Sequence, residues 1–412
     1  MKTKKILLPV VLILSLLLSG CNHEAIIDNA LLELAQQLTE PEDVVEPFIG
    51  FAREDVEDVE DLHQLEPEML QNYISEYSRY NTYSYFQHLN DTEKLVYRAY
   101  EYAMDHGYPY TWFDIRLTDG IEWSVFDILQ FLALDSALVD QNISQSIQVK
   151  TVTHSVLNIQ TAKETYTTVY MDHFTLKRLE RKQQAMSEAR VILEDVSPSW
   201  TDRQKAEYFY DYLGDNIIYY EYENEVRGDE YLYSALCRGT ANCDGYTNAF
   251  ALLCHMENIR CIEINSDTPL GEVGHTWNAV YLDDQWVYVD CTAAESDLSA
   301  ACENRRRERI YFGFPDALLQ YAVLHRDMLP DCSVGLTPIL HIPSGKIEDF
   351  DKQVKAAFQE NNRECAVILV DEGDLEDQIT EDLATKLNFD LYYAHYETAE
   401  GKTVYYLFND EG

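Results

Sequence analysis

Basic residues are scarce in this chain of 412 residues, which has 31 Lys and Arg against 73 Asp and Glu. The formal charge of −42 repels phosphate backbones, so we expect no nucleic-acid partner. Apolar residues are not scarce, because they make up 46% of the sequence, which is typical of globular proteins and argues against general disorder. A chain of this length can bury two or three separate cores.

Metal-binding patterns are also missing. The nine cysteines include no pair at CxxC spacing, and the sequence has no EF-hand loop, so it gives no support for a structural zinc or calcium site. We therefore expect no metal and no cofactor. Disulfides can form in an exported protein, but their pairing cannot be read from a sequence. Six cysteines fall within one stretch, namely Cys237, Cys243, Cys254, Cys261, Cys291 and Cys302.

The apolar run near the N-terminus, Ile6 to Leu18, is too short for a comfortable membrane span. Three lysines precede it, an order typical of a signal peptide over residues 1–20. The run ends in Leu18-Ser19-Gly20-Cys21, which resembles a bacterial lipobox. The resemblance implies that Cys21 carries diacylglycerol and anchors the protein, outside the cytoplasm, to a bacterial membrane. The alternative is an ordinary signal peptide followed by a chance cysteine.

Composition and periodicity divide the rest of the chain into four regions. The first is acidic and aperiodic, and its charge run from Glu54 to Asp61 is best interpreted as a solvated tether. We predict a tether over 21–66, an N-terminal α+β region over 67–197, a middle domain over 198–332 and a small α/β domain over 338–412.

Capping signals and periodicity predict individual elements within these regions. Asn90 with Glu93, and Thr201 with Gln204, have capping-box spacing and predict helix starts. The other predicted elements are strands over 146–154 and 164–171, a helix over 174–195, a helix over 346–360, a strand over 365–370, helical spacing from Leu375 to Leu387, and strands over 391–397 and 403–408.

The segment that starts at Asn242 carries a candidate nucleophile. Tyr246, Ala249, Phe250 and Leu253 recur at helical spacing, so a buried helix is predicted to begin near Cys243. At that position the helix dipole and the free backbone N–H groups favour a thiolate and can stabilise an oxyanion.

Two alternating segments, 274–282 and 285–290, predict a hairpin with its turn at Asp283-Asp284. The hairpin places His275 near Asp290. Together with a facing Cys243, these side chains have the composition of a nucleophile, base and orienting acid.

The strings CDGYTNAFALL, GHTWNAVYLDDQW and VYVDCT resemble, in order and spacing, three signature segments of the transglutaminase-like superfamily. That family includes transglutaminases, peptide N-glycanases and bacterial cysteine proteases. The resemblance implies an α+β, papain/transglutaminase-like core over 198–332, in which a catalytic helix packs on an antiparallel sheet. It also implies that Cys243 is the nucleophile, His275 the base and Asp290 the orienting acid.

The sequence departs from the family pattern at two places near the presumed cleft. Asn242 stands where the family usually has an apolar residue, and Ala293-Ala294 stands where an aromatic residue is common. These departures bear on substrate choice more than on the three catalytic candidates. We regard Asn242, Asp244 and Trp277 as substrate-cleft candidates.

The predicted function is acyl transfer on peptide or side-chain amides of an envelope peptide or protein, with hydrolysis favoured over cross-linking. The alternative is a binding or scaffolding module that keeps the fold without catalysis, with the C-terminal unit as the binder. The aromatic run from Ile217 to Tyr222 either walls a cleft or packs in the core, and packing is the commoner use.

Overall fold

The structure is a computed structural model that describes residues 42–45, 67–75, 81–105, 114–118, 122–138, 147–156, 159–169, 174–220, 231–268, 274–292, 311–344, 348–360, 365–389 and 391–409. The predicted signal peptide, Cys21 and most of the predicted tether lie outside these residues. Within the described ranges, no helix is both long and apolar enough to cross a membrane.

The chain forms two compact units. The first takes its described residues from the ranges 1–75, 89–129 and 143–175, and the second from 76–88, 130–142 and 176–412. The predicted N-terminal region, 67–197, is thus divided between the two units. The predicted domain boundaries stay predictions.

The first unit contains an antiparallel sheet in the order β1-β3-β4-β2. Its elements in chain order are β1 (Glu42–Val45), α1 (Pro67–Leu70), α2 (Asp91–Asp105), β2 (Asp114–Thr118), the first part of α3 (Val125–Asp135), β3 (Ile147–Val156) and β4 (Ile159–Val169).

The predicted capping box at the start of α2 is confirmed. The backbone N–H of Glu93 donates to Asn90 Oδ1 at 3.0 Å, and Glu93 Oε2 accepts from the Asn90 N–H at 2.8 Å. The other oxygen of Glu93 accepts from the N–H groups of Glu122 and Trp123. One buried carboxylate therefore caps the helix and holds the segment before α3.

The second unit contains helices and a second antiparallel sheet, in the order β10-β9-β8-β7. The elements are α4 (Phe174–Leu193), α5 (Asp202–Asn216), β5 (Ile218–Tyr219), α6 (Tyr231–Tyr233) continued by a π-helical turn (Ser234–Arg238), β6 (Thr240–Ala241), α7 (Cys243–Met256), β7 (Cys261–Asn265), β8 (Thr276–Leu282), β9 (Gln285–Val289) and β10 (Phe312–Phe314).

Helix α7 is the centre of this unit. All of its residues from Gly245 to His255 are buried, and they share one core with residues of α4, α5, β7, β8 and β9. The predicted capping box of α5 is present in full, with Thr201 and Gln204 bonded reciprocally. The α+β core, a helix packed on an antiparallel sheet, is therefore as predicted.

The C-terminal elements form a third sheet in the order β11-β12-β14-β13, in which only the first pair is parallel. They are β11 (Ile339–Ile342), α8 (Phe350–Glu360), β12 (Cys365–Val370), α9 (Glu381–Leu387), β13 (Leu391–Glu397) and β14 (Thr403–Asn409).

Two predicted helices in this region are shorter than expected. Helix α8 begins at Phe350 rather than at Lys346, which lies outside the described residues. The helical spacing from Leu375 to Leu387 yields a helix only from Glu381. Leu375 is buried in a turn, and its N–H donates to Tyr405 Oη at 3.1 Å. Tertiary contacts therefore bury this side chain and satisfy its backbone N–H without a helix.

The predicted hairpin turn is formed by Asp283 and Asp284, with φ angles of 50° and 65°. Two consecutive residues with positive φ define the type I′ turn that matches the twist of the flanking strands. Asp283 also lies 3.3 Å from the guanidinium of Arg203.

We predict that Asp284→Gly raises the free energy of unfolding by about 0.5–1 kcal/mol, because glycine tolerates a positive φ that strains a residue with a Cβ. Urea unfolding followed by circular dichroism measures this change. Asp284→Val is the matched control and should destabilise the protein. A glycine variant less stable than the wild type would contradict the prediction.

Candidate active site

Cys243 is the first residue of α7, where the sequence predicts it. The preceding residue, Asn242, is the N-cap, and its Oδ1 accepts from the Gly245 N–H at 3.2 Å. Cys243 is a free, partly exposed thiol, whereas the free thiols of Cys254, Cys261 and Cys291 are buried. Cys243, which is partly exposed as Cys237 and Cys365 also are, thus presents its thiol at a helix start.

Gly245 allows the start of α7 to pack closely on β6 and on the start of α6. A Cβ at this position would lie 2.7 Å from the Cβ of Ala241 and 3.1 Å from the carbonyl oxygen of Tyr231. Any larger residue would displace the first turn of the helix, and Cys243 with it.

His275 and Asp290 meet beside the hairpin, as the sequence predicts. His275 Nε2 lies 2.7 Å from Asp290 Oδ2, and both side chains are largely buried. The second oxygen of Asp290 accepts from the Thr292 N–H at 3.0 Å, and the Asp290 N–H donates to the Tyr311 carbonyl at 2.8 Å. These contacts hold the carboxylate in one orientation toward the imidazole.

The Cys243 side chain lies near the His275 imidazole and contributes to the pKa of that ring. Burial alone would lower the pKa of His275, but the charge and hydrogen bond of Asp290 outweigh it, and with Cys243 they raise the pKa from 6.5 to about 11. The imidazole is therefore cationic at neutral pH. Because Nε2 is bonded to Asp290, Nδ1 is the ring nitrogen left for exchanging a proton with Cys243.

Asn242 and Asp244, two of the substrate-cleft candidates, are bonded to each other. Asn242 Nδ2 donates to Asp244 Oδ2 at 2.9 Å. Burial raises the pKa of Asp244, and this rise is opposed by hydrogen bonds from Asn242 and Thr276 and by the charge of His275. The pair connects the start of α7 to the residue after His275; its contact with substrate stays a prediction.

Trp277, the third cleft candidate, is only 2% exposed, and its ring stacks against that of His275 at a centroid distance of 5.9 Å. It supports the imidazole from within the core, where its neighbours on β8, Thr276 and Asn278, are buried as well. The exposed aromatic residue at this place is Tyr321, whose ring centroid lies 4.9 Å from that of His275. Sequence reasoning missed Tyr321, which lies beyond the segments that resemble the family.

The aromatic run after α5 divides at Ile217. Ile217 is buried, whereas Ile218, Tyr219 and Tyr220 are exposed. Strand β5 pairs in parallel with β6, which immediately precedes the N-cap of α7. The exposed part of the run is therefore available to wall a cleft, which was the less common of the two interpretations.

No group of three or more His, Cys, Asp or Glu within the described ranges is arranged to hold a metal ion. The groups that the structure brings together at the site are a thiol, an imidazolium, two carboxylates and the backbone N–H groups of a helix start.

The comparisons with known proteins concern the segment that holds this site. Residues 191–291 match the sequence model of the transglutaminase-like superfamily. The kyphoscoliosis peptidases of Mus musculus and Homo sapiens are each 34% identical to this chain over 61 residues, which are 12% of this chain and 9% of each peptidase. The chain thus covers a small fraction of the length of these curated relatives.

Among solved structures, the periplasmic domain of TgpA from Pseudomonas aeruginosa, bound to ethylmercury, is 11% identical and has a TM-score of 0.22. That comparison covers 37% of this chain and 74% of the TgpA chain. The family assignment depends on the match of residues 191–291, the segment in which α7, β7, β8 and β9 lie. The chain therefore contains a domain of the transglutaminase-like superfamily.

Proposed function

We propose that this protein is a cysteine-nucleophile acyl-transfer enzyme that acts on peptide or side-chain amides. The observation that carries the proposal is that Cys243, at the start of α7, neighbours His275, whose Nε2 lies 2.7 Å from Asp290 Oδ2. Nucleophile, base and orienting acid in this order are the groups that covalent acyl transfer requires.

In the proposed reaction, the Cys243 thiolate attacks the amide carbonyl and forms a tetrahedral oxyanion. Backbone N–H groups at the start of α7, including that of Cys243, stabilise this oxyanion. The His275 imidazolium protonates the leaving amine, which breaks the C–N bond and leaves a thioester on Cys243. Asp290 stabilises the imidazolium and keeps its ring in place.

Water then resolves the thioester, with neutral His275 taking a proton from the attacking molecule. We favour hydrolysis because Cys243 is partly exposed, so water reaches it without a second substrate site. A primary amine in place of water would give cross-linking. The substrates that we propose are peptides or proteins of the cell envelope.

We further propose that the enzyme is held at the outer face of a bacterial membrane by lipid on Cys21. The supporting observation is the string Leu18-Ser19-Gly20-Cys21 after a short apolar run. Diacylglycerol attached to Cys21 places two acyl chains in the bilayer, which is enough for stable anchoring.

At pH 5.5 we expect iodoacetamide to alkylate Cys243 roughly 10²-fold faster than an ordinary thiol, because the neighbouring imidazolium stabilises negative charge on the attacking sulfur. Mass spectrometry of tryptic peptides measures the rate at each cysteine. His275→Gln should reduce the rate at Cys243 to that of an ordinary thiol, and Asp290→Asn should give an intermediate rate.

The matched control for this experiment is Cys237→Ala. Cys237 is also a partly exposed free thiol, but burial and the charge of Glu188 raise its pKa to about 11, so it stays protonated. Cys243→Ala should abolish the fast reaction, and Cys237→Ala should leave it unchanged. Equal rates of iodoacetamide labelling in the wild type and in Cys243→Ala would contradict the proposal and favour the non-catalytic binding module.

The two acyl acceptors predict different products. After incubation of envelope proteins with the wild type and a biotinylated alkylamine, hydrolysis predicts new N-termini or deamidated side chains with little biotin incorporation. Cys243→Ala is the control and should give neither product. Dominant biotin incorporation would show that an amine, not water, is the preferred acceptor.

Lipidation of Cys21 predicts that Cys21→Ser abolishes metabolic incorporation of radiolabelled palmitate and releases the protein from the membrane fraction. Cys243→Ala should keep both properties. If the Cys21→Ser variant took up no palmitate but still stayed in the membrane fraction, lipid on Cys21 would be excluded as the anchor.

A further inference from the structure

The connection between β10 and β11 contributes an aromatic wall to the proposed site. The ring centroid of Tyr321 lies 4.9 Å from that of His275, with 36° between the planes, and 6.2 Å from that of Trp277. Trp277 is buried, whereas Tyr321 is 40% exposed. The imidazole is therefore packed by a buried indole and by a phenol that solvent can reach.

Tyr321 lies in a short segment that is fixed to the end of β7. The Asp267 N–H donates to the Ala322 carbonyl at 2.8 Å, and the Leu324 N–H donates to the Asn265 carbonyl at 2.9 Å. Ser266 and Val323 form an isolated antiparallel bridge between these bonds. The residues after Tyr321 thus add one short pairing to the β10-β9-β8-β7 sheet, at the end of β7.

The residues before Tyr321 are held by the β13–β14 hairpin. Tyr396 Oη donates to the Leu318 carbonyl at 2.9 Å, and the Ala399 N–H donates to the Leu319 carbonyl at 2.8 Å. Burial raises the pKa of Tyr396 well above its ordinary value, so its hydroxyl stays protonated and able to donate.

The same hairpin contacts the residue that holds Asp290 in place. The Tyr396 ring stacks on Tyr311 at a centroid distance of 5.9 Å. The Tyr311 carbonyl accepts from the Asp290 N–H, and its hydroxyl accepts from Gln320 Nε2 at 3.0 Å. The C-terminal hairpin therefore touches both the Tyr321 segment and the support of the orienting acid.

We propose that Tyr321 is a positioning residue for His275, and that the C-terminal hairpin acts on the active site by holding Tyr321 over the imidazole. The aromatic ring restricts rotation of the imidazole and, with its face toward the cation, favours the imidazolium over the neutral ring. This role for the C-terminal unit rests on the proposed function, because it needs His275 to work as the partner of Cys243.

Several other groups surround His275 and stay unchanged in the test. Cys243 and Asp244 face it from α7, and Asp290 faces it from the end of β9. Asp290 in turn has Tyr210 and Tyr311 nearby. Substitution of Tyr321 therefore changes one neighbour of the imidazole and leaves the charged ones in place.

The test is the pH profile of iodoacetamide alkylation at Cys243 in the full-length chain, between pH 3 and pH 8. For Tyr321→Leu we expect the midpoint of the acid limb to move upward by about half a pH unit, because the imidazolium loses the aromatic face. Tyr321→Phe keeps the ring and should overlay the wild type.

Tyr396→Phe tests the hairpin, since it removes only the hydroxyl that donates to Leu318. We expect its midpoint to move in the same direction and by less than that of Tyr321→Leu. Tyr393→Phe, on the face of strand β13 opposite to Tyr396, is the matched control and should leave the profile unchanged. Near-ultraviolet circular dichroism checks that each variant is folded.

A Tyr321→Leu profile that overlays a fast wild-type profile would overturn the role of Tyr321 while leaving the proposed nucleophile intact. A shift in Tyr321→Leu with none in Tyr396→Phe would overturn the role of the hairpin. Absence of fast alkylation in the wild type would instead overturn the proposed function.

An NMR titration of the His275 ring in Cys243→Ala, with and without Tyr321→Leu, should show a lower pKa of His275 in the leucine variant. Equal pKa values would also overturn the inference.

Discussion

Burial of helix α7 is the constraint on which the candidate site depends. A helix that is buried from Gly245 to His255 has no free face along which to rotate or slide, and each large side chain contributes about 1.5–3 kcal/mol when it is taken from water. Cys243 lies at the partly exposed N-terminal end of this helix. The position of the thiol is set by the packing of the whole core, together with the close contact of Gly245 with Ala241 and Tyr231.

Buried polar groups then fix the helix relative to the sheet. Asn248 Nδ2 donates to Glu263 Oε1 on β7 at 2.6 Å, and Asn278 Nδ2 on β8 donates to the Thr247 carbonyl at 3.2 Å. Leaving such groups unpaired in the core would cost about 1–3 kcal/mol each. A shift of one residue between helix and sheet is thus disfavoured, and the distance from Cys243 to His275 is maintained.

The site draws on four segments that are far apart in sequence. Cys243 comes from a helix start, His275 from the residue before β8, Asp290 from the residue after β9, and Tyr321 from a connection beyond β10. The first three lie within or beside the hairpin and helix that form the α+β core. The fourth is placed by backbone bonds to residues 265–267 and to the hairpin of residues 391–409, which gives the C-terminal sheet a physical connection to the imidazole.

Short-range interactions explain which features could be predicted. The capping boxes at Asn90 and Thr201 need only residues three positions apart, and the type I′ turn at Asp283-Asp284 needs only its own two residues. The start of α7 follows from helical spacing, and the hairpin brings His275 to Asp290. For these features the sequence by itself was sufficient, because the stabilising partners are neighbours along the chain.

Long-range contacts decided the rest. Leu375 has helical spacing but is buried in a turn beside Tyr405, and Trp277 lies in the core while the more distant Tyr321 takes the exposed place beside His275. The division of residues 67–197 between two compact units has no local signal either. Sequence alone therefore determined the elements that have local signals and the three candidate side chains. Only the tertiary structure decided what surrounds the imidazole, because that depends on which distant surfaces bury one another.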